Sequence, residues 1–228
     1  MKEEISTLPF VTPELLSSLF TEETVRNARE QTHRYQRLMA YYRCAMMEVE
    51  TKLNVLNEEF SLRHDRNPIS AIKSRLKRPE SIKEKLLRRG LPLTFESLEE
   101  NLSDVAGVRV ICAFTADVHM LADALLAQDD ITLLECKDYI KNPKENGYRS
   151  LHLVVSVPIY LEREKRPMKV ELQLRTIAMD VWASLEHQLR YKKDTAFTDA
   201  MGDELLHCAA LAAELDERMD VLREETGI

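Results

Sequence analysis

Hydrophobic positions along this chain change their spacing as it proceeds. Between 28 and 60, Tyr35, Leu38, Tyr42, Val49, Leu53, Leu56 and Phe60 recur at the spacing of one helix face. A shorter helix is expected over 13–26, opened by Thr12-Pro13-Glu14. Asn67-Pro68 interrupts the pattern, because a proline steers the residue before it out of helical geometry. Ser74 to Lys77 reads as extended, and Pro79 then opens a short helix that Gly90 ends. In the middle of the chain the period falls to two. Gly107–Phe114, Ile131–Cys136, Leu151–Val157 and Met168–Arg175 read as strands. Helices are expected over Asp117–Gln128, with Asp117 as cap, and over Thr176–Tyr191. From 201 to 226 an acidic helix carries Leu205, Cys208, Ala212, Leu215, Met219 and Leu222, spaced alternately three and four apart like a short coiled-coil seam.

This succession predicts an α+β protein with a mixed β-sheet core flanked by N- and C-terminal helices. Three regions are expected: an N-terminal helical region over 1–60, a core over 61–195, and a last helix over 196–228 suited to contact between copies of the chain. The seams of the first and last helices serve equally well for packing within one chain.

Composition narrows the class. With 228 residues, 44% hydrophobic and 31% charged, the chain can build a sizeable core, and disorder as its main state is excluded. No apolar run reaches the ~18–20 residues of a membrane span. The acidic start Met1-Lys2-Glu3-Glu4 leads into no signal-like core, so a cytoplasmic location is expected. Cys44, Cys112, Cys136 and Cys208 are scattered without a CxxC pair, a pattern suited to buried thiols in a reducing compartment.

The net charge of −7 disfavours generic nucleic-acid binding. Within it lies a basic island from Lys73 to Arg89, where eight cations (Lys73, Arg75, Lys77, Arg78, Lys83, Lys85, Arg88 and Arg89) outweigh Glu80 and Glu84. Such focused charge suits a compact anion. Ser81, Lys85 and Arg88 share one face of the short helix, and Arg75 and Lys77 precede it on one side of an extended stretch. Together they make a cradle for a triphosphate. Neither GxxxxGK[ST] nor GxGxxG occurs, so a nucleotide has to be held by side chains.

The strand Met168–Arg175 is the most informative segment. Alternation puts Val170, Leu172 and Leu174 on a core face and Glu171, Gln173 and Arg175 on a polar one. That polar face is either solvated or a working surface. Asp104 comes just before the strand carrying Arg109, and Asp104 and Glu171 on adjacent strands suit one Mg²⁺, an ion that takes one or two carboxylates plus water and phosphate. Asn146-Gly147 signals a turn ahead of Tyr148, whose ring either stacks on a base or packs at the start of a strand. His152 alternates to the polar side. His64-Asp65 resembles the centre of a metal-hydrolase motif, but the further ligands are missing around it.

Five ordered blocks carry a resemblance. Ser74-Arg-Leu-Lys77 with Ser81-Ile-Lys-Glu-Lys85, Asp104-Val-Ala-Gly-Val-Arg109, Asn146-Gly-Tyr-Arg-Ser-Leu-His152, Val170-Glu-Leu-Gln-Leu-Arg-Thr176 and Ala178-Met-Asp-Val-Trp-Ala-Ser-Leu-Glu-His187 resemble the synthetase domain of the RelA/SpoT family over Asn67 to Lys192. The length resembles the short, single-domain small alarmone synthetases. The resemblance implies a nucleotidyltransferase-like mixed sheet and transfer of the β,γ-pyrophosphate of ATP to the ribose 3′-OH of GDP or GTP, giving AMP and ppGpp or pppGpp. It implies that Arg75 and Arg109 sandwich adenine and that Lys77, Ser81, Lys85 and Arg88 hold the ATP phosphates. Asp104 and Glu171 would bind Mg²⁺, and Glu171 would also take the 3′-OH proton. Tyr148 would stack on guanine. Lys144, His152 and Gln173 would position the guanosine nucleotide, and Asp180 stands where it touches guanine in that scheme. Arg175, Glu186 and His187 would support. A homotetramer is implied too. Two other readings stay open: a nucleotidyltransferase that adds AMP and releases pyrophosphate, and a non-catalytic RNA-binding module using the basic island.

Overall fold

The computed structural model describes residues 22–64, 66–191 and 197–227. Helix α1 (Glu22–His64) is followed by β1 (Ile69–Leu76), α2 (Pro79–Arg88), α3 (Phe95–Asn101), β2 (Ala106–Cys112), α4 (Thr115–Leu126), β3 (Thr132–Asp138), β4 (Leu151–Tyr160), β5 (Lys165–Thr176), α5 (Ile177–Tyr191) and α6 (Asp199–Thr226). The part of α1 up to Ala40 belongs to one compact unit, and the chain from Tyr41 onwards to a second, larger one.

The five strands form one sheet in the order β1-β2-β5-β4-β3. Only β2 and β5 run parallel; every other neighbouring pair is antiparallel. The α+β class expected from the periodicity is what the chain adopts. On one sheet face, Val108 and Val110 of β2, Val170, Leu172 and Leu174 of β5, and Leu153, Val155 and Val157 of β4 are almost fully buried. The stripe Val118, Leu121, Ala122 and Leu125 of α4 is buried with them, as is Ala45, Val49, Leu53 and Leu56 of α1. Each fully buried Leu contributes roughly 1.5–3 kcal/mol relative to exposure. Polar ties fix α1 to this core: Asn57 Oδ1 accepts from the Ile69 amide at 3.0 Å, and Lys52 Nζ reaches Asp130 at 2.7 Å.

Several elements differ from expectation for local reasons. The expected helix over 13–26 lies largely outside the described residues; from Glu22 onwards the chain is one helix, continuous through Asn27. β1 starts five residues ahead of Ser74 and stops at Leu76, since the outer strand needs few apolar residues to pair. Helix α3 was not expected; Thr94 caps it by accepting from the Ser97 amide. Asp117 is not the cap of α4 but stands inside its first turn, where it accepts from the Phe114 amide and pairs with Arg66. On α6 the inward face is Ala209, Ala212 and Asp216, while Cys208, Leu215, Met219 and Leu222 of the expected seam are exposed. Only Cys112 is buried; Cys136 and Cys208 are exposed and Cys44 lies between. His64-Asp65 falls outside the described side chains.

Candidate active site

The polar face of the sheet is ordered in rows, because paired residues on neighbouring strands point to the same side. One row takes a residue from every strand: Lys73, Arg109, Gln173, His152 and Lys137. The next sets Arg75 opposite Gly107 and Gly107 opposite Glu171. Gly107 supplies no side chain, so space opens between a guanidinium and a carboxylate. The resulting cavity, about 250 Å³, is lined by Lys73, Arg75, Gly107, Arg109, Glu171 and Gln173. A Cβ built on Gly107 meets only the Arg75 carbonyl, at 3.8 Å. The glycine is thus there for the room it leaves above the sheet.

At one end of the cavity stands a charge cluster. Lys77, just past β1, and Lys85, on α2, both donate to Asp104 Oδ2, at 2.6 and 2.7 Å. Burial alone would push the Asp104 carboxyl up; the hydrogen bonds and charges of the two lysines overcome this and hold it below the usual carboxylate range. Its second oxygen, Oδ1, is buried without a hydrogen-bond partner. Ser81 is half-buried one turn ahead of Lys85 and Arg88 is exposed in the last turn of α2; neither lines the cavity.

At the other end runs a hydrogen-bonded chain. Arg175 donates to the Tyr148 hydroxyl at 2.6 Å and to Gln173 Oε1 at 2.9 Å, and Gln173 donates to Glu171 Oε2 at 3.1 Å. The Tyr148 hydroxyl lies 2.7 Å from His152 Nε2. The other ring nitrogen, Nδ1, lies 4.0 Å from Glu171 Oε1. A neutral ring is what the surroundings favour: burial first, then the charges of Arg175, Lys144, Lys137 and Arg109, lower the His152 pKa to about 4. Tyr139 meets Tyr148 and His152 edge to face, and Lys144 sits over both tyrosine rings, 4.6 and 4.9 Å from their centroids.

Glu171 stands between the two ends. Burial pushes its carboxyl above the ordinary range and the charge of Asp104 adds to this, while Gln173, Lys85 and Lys77 pull it back. A carboxylate reluctant to stay ionised is a better proton acceptor than an exposed one. Asp180, buried near the start of α5, faces three cations: Arg109 and Arg175 at 3.3 Å and Lys73 at 3.4 Å. Burial, then the nearby Arg175, holds Arg109 below the ordinary arginine range.

Asp104 and Glu171 are close enough for their charges to interact. The orphaned Asp104 Oδ1 beside a second carboxylate is a donor pair that fits a hard divalent ion completed by water and phosphate. Among the described residues there is no group of three or more His, Cys, Asp or Glu that would make an all-protein cage. Four residues of this surface carry no assignment from the motifs. Gly107 lies within a quoted block, and Lys73 belongs to the basic island and follows from alternation back from Arg75. Gly147 is marked in the sequence as a turn residue, and Tyr139 becomes evident only once the loop is folded against its neighbours.

Comparison with known proteins agrees in sequence and in fold. The profile described as "Region found in RelA / SpoT proteins" matches residues 74–196. Over 184 residues, 81% of this chain and 88% of the other, the sequence is 42% identical to the GTP pyrophosphokinase YwaC of Bacillus subtilis. It is 35% identical over 191 residues to the GTP pyrophosphokinase YjbM of the same organism, covering 84% of this chain and 89% of that one. The small alarmone synthetase 2 of Bacillus subtilis superposes with a TM-score of 0.76 at 39% identity, over 84% of this chain and 98% of that one. The small alarmone synthetase 1 of the same organism, bound to its product pppGpp, also gives 0.76, at 35% identity over 84% and 97% of the two chains.

Proposed function

The chain belongs to the RelA/SpoT family, and on that footing we propose that it is a GTP pyrophosphokinase, moving the β,γ-pyrophosphate of ATP to the ribose 3′-OH of GDP or GTP. The products are AMP and ppGpp or pppGpp. The observation that carries this reading is the cavity above Gly107, with a lysine cluster at one end, a tyrosine–histidine–arginine chain at the other and Glu171 between them.

In this reading ATP lies on the β1–α2 side. Arg75 and Arg109, which both line the cavity, hold adenine between flat guanidinium planes that stack as well as pair. Lys77 and Lys85 turn from Asp104 to the phosphates, helped by Ser81 and Arg88. The acceptor takes the other side, with guanine on Tyr148, and with Lys144, His152 and Gln173 on its sugar and phosphates; Asp180 completes that side through the guanidiniums it faces. Glu171 takes the 3′-OH proton as that oxygen attacks the β-phosphorus and the Pα–O–Pβ bridge breaks, with AMP leaving. Asp104 and Glu171 would hold Mg²⁺, which supplies charge neutralisation at the pyrophosphoryl group. Most of the acceleration comes from bringing two nucleotides into line.

Assembly into a homotetramer is part of the proposal. Ile177, Val181, Leu185 and Leu189 form an exposed apolar stripe at helical spacing along α5, and a second copy of the chain is the occupant we assign to it. A cytoplasmic enzyme fits a structure in which, among the described residues, no helix is long and apolar enough to cross a membrane. The test is ATP labelled at the γ-phosphate, incubated with GTP and Mg²⁺. Label in a guanosine product alongside AMP is the expected result. Label released as free pyrophosphate would mean adenylyl transfer, and tight salt-sensitive RNA binding without turnover would mean a binding module.

A further inference from the structure

We propose that helix α6 is a wall of the acceptor-nucleotide slot, with Ala209 and Asp216 acting as positioning residues for Tyr148. The proposal rests on the assignment of Tyr148 to guanine and goes beyond it, since the sequence suggested contact between copies or packing within one chain for this helix, and no part in the site.

Two anchors bracket the tyrosine. On one side, Gly147 holds φ +86° and a Cβ built on it would lie 2.4 Å from the Ala209 Cβ. The loop backbone therefore runs directly against the helix, with room for no larger residue at either position. On the other side, Arg149 approaches Asp216 Oδ2 at 3.7 Å, and the same oxygen accepts from the Thr176 hydroxyl at 2.9 Å. Both α6 residues are buried, at 5% and 7% exposure. Between the anchors, the Tyr148 side chain packs on the cluster of Trp182, Ala183 and Ala209. The Trp182 indole N–H donates to the Leu205 carbonyl at 2.9 Å and so locks α5 to α6 beneath the loop.

The loop between β3 and β4 runs from 139 to 150, long enough to wander without such support. A ring fixed before the nucleotide arrives spares the acceptor the ordering cost that a free loop would impose. The donor-side lysines are held instead by Asp104. Disturbing α6 should therefore weaken the acceptor and spare the donor, a split that general damage to the fold would not produce.

The experiment measures the KM of both nucleotides in wild type, Ala209→Leu and Asp216→Asn. It also records emission from Trp182, the one tryptophan of the chain. We expect the GTP KM to rise at least tenfold in Ala209→Leu and severalfold in Asp216→Asn. The ATP KM should stay within twofold, and Trp182 emission should shift in Ala209→Leu. Parallel rises in both KM values, a fall in kcat alone, or an unmoved GTP KM would overturn the proposal. Asp216→Asn keeps the shape and the Thr176 hydrogen bond, so it reads the same split if Ala209→Leu fails to fold by circular dichroism. Should wild type itself form no AMP from ATP and GTP, the reading of the site falls. Should wild type turn over while the variants keep a normal GTP KM, only the role of α6 falls.

Discussion

Replacing Glu171 by Gln separates what this residue does for chemistry from what it does for stability. The substitution keeps the outline of the side chain and removes one ionisable oxygen. The new carbonyl oxygen can still accept from Gln173 Nε2, which now lies 3.1 Å from Glu171 Oε2. His152 Nδ1 is 4.0 Å from the other oxygen, too far for the new amide to conflict with it. As a positioned base, a carboxylate contributes roughly 10²–10⁴-fold, so kcat should fall by about two orders of magnitude or more. Stability should move the other way. The Glu171 carboxyl is held above its ordinary value, chiefly by burial. The folded protein therefore binds that proton more tightly than the unfolded chain, and ionisation above the raised value works against folding. Wild type should gain stability as pH falls through that value, and Glu171→Gln should lack this gain. At pH 8 the variant should melt no lower than wild type. The assays are AMP release from ATP plus GTP and thermal melting, both followed from pH 4 to pH 9. Wild-type kcat should climb with pH as Glu171 ionises, and the residual rate of the variant should not follow that climb. Turnover within threefold of wild type, or a melting point many degrees lower, would refute the reasoning, the first by removing the base and the second by making Glu171 a structural residue.

Arg75→Ala should raise the ATP KM more than the GTP KM in steady-state assays, because Arg75 lies on the β1 side of the cavity; equal effects would undo the adenine assignment. Gly107→Val should leave the fold intact and abolish turnover, since only the Arg75 carbonyl lies near the new Cβ and the added methyl groups enter the cavity; a binding assay with a non-hydrolysable ATP analogue should show affinity lost while the melting point holds. His152 should make the protein acid-sensitive. Its pKa is lowered to about 4 in the folded state from 6.5, so between those values the unfolded chain takes up a proton that the folded one refuses. Wild type should thus lose about 3 kcal/mol more than His152→Gln between pH 7 and pH 4, by denaturant titration.

Alternation made β5 legible in advance. Three leucine and valine positions on one face and a carboxylate, an amide and a guanidinium on the other could be read from spacing alone. Helix α2 was legible because Pro79 and Gly90 punctuate both its ends. Helix α3 was not, being seven residues long with only Thr94 as a signal. The inward face of α6 was legible only in part. The heptad reading includes Ala212, which does turn inward, but passes over Ala209, whose contact with the Gly147 backbone needed the fold. Asp104 was legible as a carboxylate ahead of a strand, yet its pairing with Lys77 and Lys85 joins three segments and needed the fold. Arg175 was expected in a supporting role; its partner Gln173 lies on the same strand and could be read from alternation, whereas Tyr148 of the β3–β4 loop and Asp180 of α5 needed the fold.

The strand order has a consequence for how this chain is made. β5 lies at the centre of the sheet, yet it is the last strand to be synthesised. Until it emerges from the ribosome, β1 with β2 and β3 with β4 can form only separate ribbons, and β2 and β4 each offer an unsatisfied, apolar flank to any other nascent chain. Insertion of one segment seals both flanks at once and in the same event delivers Glu171 beside Gly107. A chain that ends before residue 165 lacks Glu171, Gln173 and Arg175 and leaves both flanks open, so it should be inert towards nucleotides and prone to aggregate.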